Sequence, residues 1–141
     1  MRRAAVLLCT LLLASPTAAA AEPVLAVIVH ADRARVRLTR EQLRTIYLKQ
    51  RRFWDDGTPI VALNREPGST DREAFSLRVL GTKSADLSAY WNEQYFDGVL
   101  PPPTLSSSTA VRRYVAADRN AIGYVEAGEL DPSVHVLLRL E

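Results

Sequence analysis

The apolar positions of this 141-residue chain form short runs that alternate with segments of helical spacing. Runs at 24–29 and 60–63 predict buried strands, and the segments at 120–124 and 134–140 predict two more. The predicted order is β, α, β, α, α, α, β, β. Alternating strands and helices favour an α/β fold, a layered mixed sheet with helices on both faces.

Helix starts are marked by capping residues. Thr39 and Gln42 form a capping-box pattern, and Thr70 and Glu73 repeat it further along the chain. Ser84 is the predicted cap of a third helix, and residues 106–109 offer several caps for a fourth. These positions divide the chain between the predicted strands.

The first 21 residues have the pattern of a secretory signal peptide. Met1-Arg2-Arg3 is basic, 4–14 is apolar, and 18–21 supplies small residues for cleavage. The alternative is a retained membrane anchor, but the apolar run is shorter than the roughly 20 residues that span a bilayer. We therefore predict a signal peptide at 1–21 and a single exported domain at 22–141. Cys9, the sole cysteine, lies within the signal.

The predicted mature chain is electrically balanced. Loss of Arg2 and Arg3 with the signal lowers the 18 basic residues to 16, equal to the 16 acidic residues. A nucleic-acid-coating protein needs a basic excess, so that class is disfavoured. No second apolar segment is long enough to span a membrane after signal cleavage.

The sequence has no recognisable catalytic constellation. His30 and His135 are far apart in sequence and lack the paired spacing of metal ligands. Asp55-Asp56 precedes Gly57, a context typical of turns rather than of catalytic carboxylates. We predict no enzymatic activity, no metal and no cofactor.

The main candidate site is an anion-binding loop at the start of the second helix. Its backbone N–H groups and helix dipole would favour a negative charge. The alternative is that Thr70 only caps its helix and Gly68 only forms a turn. Asp71 and Glu73 support that alternative because they already place negative charge there. The anion-binding candidates are Arg65, Gly68, Ser69, Thr70 and Arg72.

A second anion candidate lies at the start of the fourth helix. Ser107, Ser108 and Thr109 precede Arg112 and Arg113, and no carboxylate occurs in the first turn. The alternative is a serine-rich helix cap with two surface arginines.

Aromatic residues at helical spacing mark the third helix. Tyr90, Trp91 and Tyr95 are separated by intervals that place them on one face, which predicts a core role. The alternative is a platform for stacking a sugar or base.

Three segments together resemble the substrate-binding proteins of phosphate ABC transporters. Segment 43–60 resembles their helix, turn, Trp-x-Asp-Gly and strand. Asn64-Arg65-Glu66-Pro67-Gly68-Ser69-Thr70 is similar to their Arg-x-x-Gly-Ser-Gly-Thr phosphate loop, without the second Gly. Segment 115–125 resembles their later helix and Ala-Ile-Gly-Tyr strand.

The resemblance implies one lobe of a type II periplasmic-binding-protein-like fold with Arg65, Gly68, Ser69 and Thr70 at the ligand. It also implies a periplasmic module that binds phosphate or another oxyanion, weakly or with a partner supplying the second lobe. The alternative is a non-catalytic interaction or signalling module that docks on a membrane permease or sensor. A third arrangement is a homodimer with two facing lobes.

Overall fold

The computed structural model describes residues 15–17 and 21–141, so most of the predicted signal peptide, with Cys9, lies outside the described residues. The strands are β1 Leu25–His30, β2 Val61–Ala62, β3 Asn64–Arg65, β4 Thr104–Leu105, β5 Ala121–Glu126 and β6 Val134–Leu140. The α-helices are α1 Arg40–Tyr47, α2 Thr70–Phe75, α3 Ser88–Phe96 and α4 Ser108–Ala117. A π-helical turn, Ser76–Leu80, extends α2, and 3₁₀ turns occupy Ala31–Arg33, Ser84–Leu87 and Ala127–Glu129.

The main sheet is mixed, in the strand order β2-β5-β1-β6. Strand β1 pairs antiparallel with β5 and β6, whereas β2 pairs parallel with β5. The predicted strand at 60–63 becomes β2 in the main sheet, and β3, which follows it directly, pairs with β4 in a parallel two-stranded sheet. The transition occurs at Leu63, whose N–H bonds to Ile122 while the next N–H bonds to Pro103.

Helices cover both faces of the main sheet, as the alternation predicts. On one face, Tyr47 of α1 and Phe75 of α2 pack on Tyr124 of β5, with the Phe75 and Tyr124 rings stacked at 4.0 Å. On the other face, Val111 and Val115 of α4 are fully buried against the sheet. The two faces therefore have separate apolar cores.

The capping predictions have mixed outcomes. The capping box of α1 is confirmed, because Thr39 Oγ1 accepts from the Gln42 N–H at 3.1 Å and Gln42 Oε1 accepts from the Thr39 N–H at 2.9 Å. The capping box predicted at Thr70 is wrong. Ser69 is the N-cap of α2 and accepts from the N–H of the third helical residue at 3.1 Å, so Thr70 is the first residue inside the helix.

Glu73, which the capping box would use, bonds elsewhere. Its carboxylate accepts from the N–H of Ser84 at 3.2 Å and from the Ser84 hydroxyl at 2.6 Å. The prediction that Ser84 caps a third helix is therefore wrong. Ser84 is the first residue of a 3₁₀ turn, and its bonds to Glu73 connect that turn to α2. The Glu73–Ser84 contact thus takes the place of the Thr70–Glu73 capping box that the sequence predicts.

The aromatic side chains of α3 differ in burial: Tyr90 packs against the core and Trp91 is partly buried, whereas the residues at the end of the helix are exposed. Tyr95 is 66% exposed and the neighbouring Phe96 is 87% exposed, so the core prediction is wrong for Tyr95. Tyr90 is half-buried and donates its hydroxyl to the Leu48 carbonyl at 2.6 Å. Only one flank of α3 meets the rest of the fold.

Within residues 15–17 and 21–141, no helix has the length and apolar character to cross a membrane.

We predict that Gly123→Ala destabilises the fold. Gly123 lies in β5 under α4, where an added Cβ would lie 2.5 Å from Val111 Cγ1. Overpacking of this kind costs about 1–3 kcal/mol of unfolding free energy. Chemical denaturation measures this loss of unfolding free energy. The matched control is Gly128→Ala, where an added Cβ meets open space and we expect a change within about 0.5 kcal/mol. Equal stability of both variants would contradict close packing of α4 on β5.

Candidate functional site

Two strand-to-helix connections meet at one edge of the small sheet. Strand β3 leads through residues 66–69 into α2, and the parallel strand β4 leads through 106–107 into α4. Since β3 and β4 are parallel and adjacent, both helices begin at the same edge. Ligands of open α/β sheets bind outside the carboxyl ends of strands, where helix N-termini point. The structure thus brings the two anion candidates predicted from sequence together.

Arg65 lies at the centre of this edge. Its Nη1 donates to Asp71 Oδ2 at 2.6 Å and to Ser108 Oγ at 3.2 Å. Its Nε and Nη2 donate to the two carboxylate oxygens of Glu66 at 3.3 and 3.2 Å. The side chain is buried, and it joins the starts of α2 and α4.

The other residues of the first candidate lie around Arg65. Gly68 has a φ of +86°, a left-handed conformation that glycine adopts without strain, and this turns the chain into α2. Ser69 uses its hydroxyl as the helix cap, whereas Thr70 is exposed. Arg72 Nη1 donates to the Arg65 carbonyl at 3.1 Å and forms no ion pair with a carboxylate that the structure describes.

The three residues of the second anion candidate have different surroundings. Ser107 caps α4 by accepting from the Ala110 N–H at 3.0 Å. Ser108 joins the Arg65 cluster: its hydroxyl accepts from Arg65 and from the Glu126 N–H and donates to Asp71 Oδ2 at 3.3 Å. Thr109 lies elsewhere, beside Glu129, where its hydroxyl helps to lower the pKa of that carboxyl. Only Ser107 and Ser108 remain near the site.

Sequence reasoning missed two residues that build the site. The Tyr124 hydroxyl accepts from the Arg65 N–H at 3.1 Å and donates to Asn64 Oδ1 in a short bond, which fixes the end of β3. Burial raises the pKa of Tyr124, so the hydroxyl stays protonated. The Ala-Ile-Gly-Tyr segment at 121–124 carries a signal for Tyr124; nothing local marks Asn64.

The charges of the site are already balanced in the absence of ligand. Arg65 and Arg72 supply two positive charges, and Glu66 and Asp71 supply two negative ones. Hydrogen bonds from Arg65 lower the pKa of Glu66, so this carboxylate stays ionised at neutral pH. Asp71, which the sequence suggests would repel an anion, forms a direct ion pair with Arg65. Together with Glu66 it occupies the guanidinium positions that a bound oxyanion would use.

The two carboxylates differ in how easily they can leave Arg65. The Asp71 side chain is 3% exposed, and its Oδ1 has no hydrogen-bond partner within the described residues. The Glu66 side chain is 39% exposed. Asp71 is thus a fixed part of the fold, whereas Glu66 can rotate into solvent at small cost.

We predict that Asp71→Asn destabilises the fold far more than Glu66→Gln. Breaking the buried pair leaves a buried guanidinium short of a counter-charge and costs about 3 kcal/mol, whereas an exposed pair contributes at most about 1 kcal/mol. Urea denaturation of each variant gives the difference. Glu93→Gln, an exposed change on α3, is the control for removing a carboxylate. Similar losses at positions 66 and 71 would refute the distinction between fixed and displaceable carboxylates.

Comparisons with known proteins identify the family and the fold of the chain. The family model described as a PBP superfamily domain matches residues 19–135. No curated protein matches the chain. A protein assigned as a phosphate ABC transporter substrate-binding protein from Clostridium perfringens, with bound phosphate, is similar at 28% identity and a TM-score of 0.61; the match covers 82% of this chain and 45% of that one.

Two further solved structures share the fold. An ABC-type phosphate transport receptor from Vibrio cholerae has 24% identity and a TM-score of 0.64, and PstS from Borrelia burgdorferi has 16% and 0.63. Each match covers 82% of this chain and 46% of the other. The chain thus spans about half the length of these relatives, as a single-lobe form. By its family match and its α/β fold, it belongs to the PBP superfamily domain family.

Proposed function

We propose that this chain is a periplasmic oxyanion-binding module, related to the substrate-binding proteins of phosphate transport, with Arg65 at its ligand site. The main support is the convergence of the α2 and α4 starts on one buried arginine. The relative from Clostridium perfringens, which holds phosphate, makes phosphate the first ligand to test. The role is binding, not catalysis.

The proposed ligand contacts come from both helix starts. The oxyanion would take the fork of Arg65 now held by Glu66, with Arg72 as a second positive charge nearby. Gly68 and Thr70 would present backbone N–H groups from the start of α2, and the Ser69 N–H would first have to release the Glu66 carbonyl, to which it donates at 3.3 Å. Ser107 and Ser108 lie at the start of α4. The ligand must displace Glu66 and still face Asp71, so binding by this chain alone is weak.

A partner would strengthen the site by covering its open side. Beside Thr70, a groove of about 600 Å³ runs along α2 and is bordered by Pro23, Ala74 and Leu77, with Glu126 at its edge. Leu77 is exposed there, although it lies on a helix that packs on the sheet. A second protein surface in this groove would exclude water from the neighbouring oxyanion and strengthen its contacts.

We predict that the isolated protein binds phosphate or sulfate with a Kd of about millimolar, which corresponds to about 4 kcal/mol. Arg65→Gln should remove the binding heat in isothermal titration calorimetry. Glu66→Gln should tighten binding about threefold to tenfold, because it removes a competing ion pair worth at most about 1 kcal/mol and one unit of repulsion.

The control is Glu93→Gln, which removes an exposed negative charge on α3 that takes no part in the hydrogen bonds or ion pairs of Arg65, and it should leave the affinity unchanged. Folding of every variant is checked by circular dichroism. If folded wild type and Glu66→Gln both give no heat at millimolar anion, the proposed function fails.

A second candidate function, an interaction or signalling accessory, is favoured by one observation. Tyr95, Phe96 and Leu100 form an apolar patch at the end of α3, with Phe96 87% and Leu100 63% exposed. The two aromatic rings meet edge to face at 6.3 Å. Adjacent exposed apolar side chains of this size are typical of protein contact surfaces. A membrane permease or a sensor protein is the proposed partner.

We predict that Tyr95→Ser/Phe96→Ser abolishes crosslinking to a membrane protein in periplasm-containing cells while leaving unfolding free energy within about 0.5 kcal/mol of wild type. The control is Tyr114→Ser, which removes an exposed aromatic side chain on a different helix, α4. Retained crosslinking in the double variant would exclude this patch as the contact. A self-crosslinked product, with a dimer in sedimentation, would favour the homodimer instead.

A further inference from the structure

The basic residues of the chain are concentrated in one segment on the side of α1. Residues 33–52 contain eight of the 18 basic residues of the chain and one of its 16 acidic residues. The predicted mature chain is neutral as a whole, so the rest of it carries a compensating negative excess. The oxyanion site does not use this segment, because its charges come from residues 65–72.

A groove of about 460 Å³ lies within this basic region. It forms where the turn after β1, the helix α1 and the hairpin at 53–59 meet. The main lining side chains are Arg33, Arg35, Arg37, Gln42, Arg51 and Trp54. Two carboxylates, Asp55 and Asp56, also border it.

Arg33 forms a rigid floor for the groove. It is buried, its guanidinium lies 4.5 Å from the centre of the Trp54 ring, and its Nη2 donates to Thr58 Oγ1 and Asn120 Oδ1 at 2.8 Å each. Nη1 donates to Asp56 at 3.3 Å. All three nitrogens of this guanidinium have hydrogen-bond acceptors. Arg33 therefore shapes the groove and adds positive potential without needing a ligand of its own.

The cations on the rim lack such partners. Within the described part of the chain, Arg37 donates only to the carbonyls of Ala34 and Val36, and neither Arg35 nor Arg37 forms an ion pair with a carboxylate. Unpaired like charges repel one another, and an anionic partner relieves that repulsion.

We propose that this groove is a docking site for an acidic protein segment, an extended stretch rich in Asp and Glu that pairs with Arg35 and Arg37. Arginine suits this role because its planar fork binds carboxylates in a bidentate manner. Asp55 favours a segment over an anionic lipid surface: its side chain is fully exposed at the rim, where a flat layer of headgroups would meet it directly. A peptide can lie past it.

The test uses the mature protein and a short fluorescein-labelled peptide of alternating Asp and Ser, followed by fluorescence anisotropy at low ionic strength. We expect binding that weakens steeply with added salt. Arg35→Glu/Arg37→Glu should weaken binding at least tenfold. The matched control is Arg113→Glu/Arg139→Glu, which makes the same charge change at exposed positions outside the groove and should weaken binding less than twofold.

Equal weakening in the two double variants would overturn the proposal, because the peptide would then sense only net charge. Absence of binding by the folded wild type at low salt would also overturn it. So would binding to phosphatidylglycerol vesicles that depends on Arg35 and Arg37 when the peptide does not bind, since the partner would then be a membrane. None of these outcomes affects the oxyanion titration, which rests on Arg65.

Discussion

The ion pair between Arg65 and Asp71 connects the parts of the fold that surround the site. The two side chains meet at 2.6 Å in a buried setting, and Ser108 bridges them from the start of α4. The same Ser108 hydroxyl accepts from the Glu126 N–H at the end of β5. One charged pair therefore ties α2, α4, β3 and β5 together. Removing Arg65 would leave the Asp71 carboxylate buried without its counter-charge, and removing Asp71 would leave the buried guanidinium with only the partly exposed Glu66. Either change is costlier than losing a surface pair.

The elements that the sequence predicts best are those specified by local chemistry. The apolar run at 24–29 and the segment 134–140 become β1 and β6, because their side chains suit a pleated, buried surface. The capping box of Thr39 and Gln42 forms because no distant group competes for either side chain. The α/β class and helices on both faces follow from these elements.

The failures occur where a distant partner outcompetes a local one. Glu73 bonds to Ser84, eleven residues away, so it cannot close a capping box. Ser69 and Thr70 are both good caps, and Ser69 takes the position in a loop turned by the left-handed Gly68. Tyr95 has the spacing of a core residue, but none of the elements that the structure describes buries its side of α3, and it is 66% exposed. Likewise, the sequence shows Asp71 as negative charge near an anion loop; only the fold shows that it pairs with Arg65.

The self-paired site also separates folding from ligand binding. A buried guanidinium without a counter-charge would oppose folding until an anion arrived, and Asp71 removes that requirement. The same pairing consumes part of the electrostatic attraction that a ligand would otherwise receive. Glu66 differs because it is partly exposed, so its bond to Arg65 can exchange for a bond to an oxyanion without unfolding the loop. Stability therefore resides mainly in Asp71, and in the proposed oxyanion site the adjustable part of the affinity would reside in Glu66.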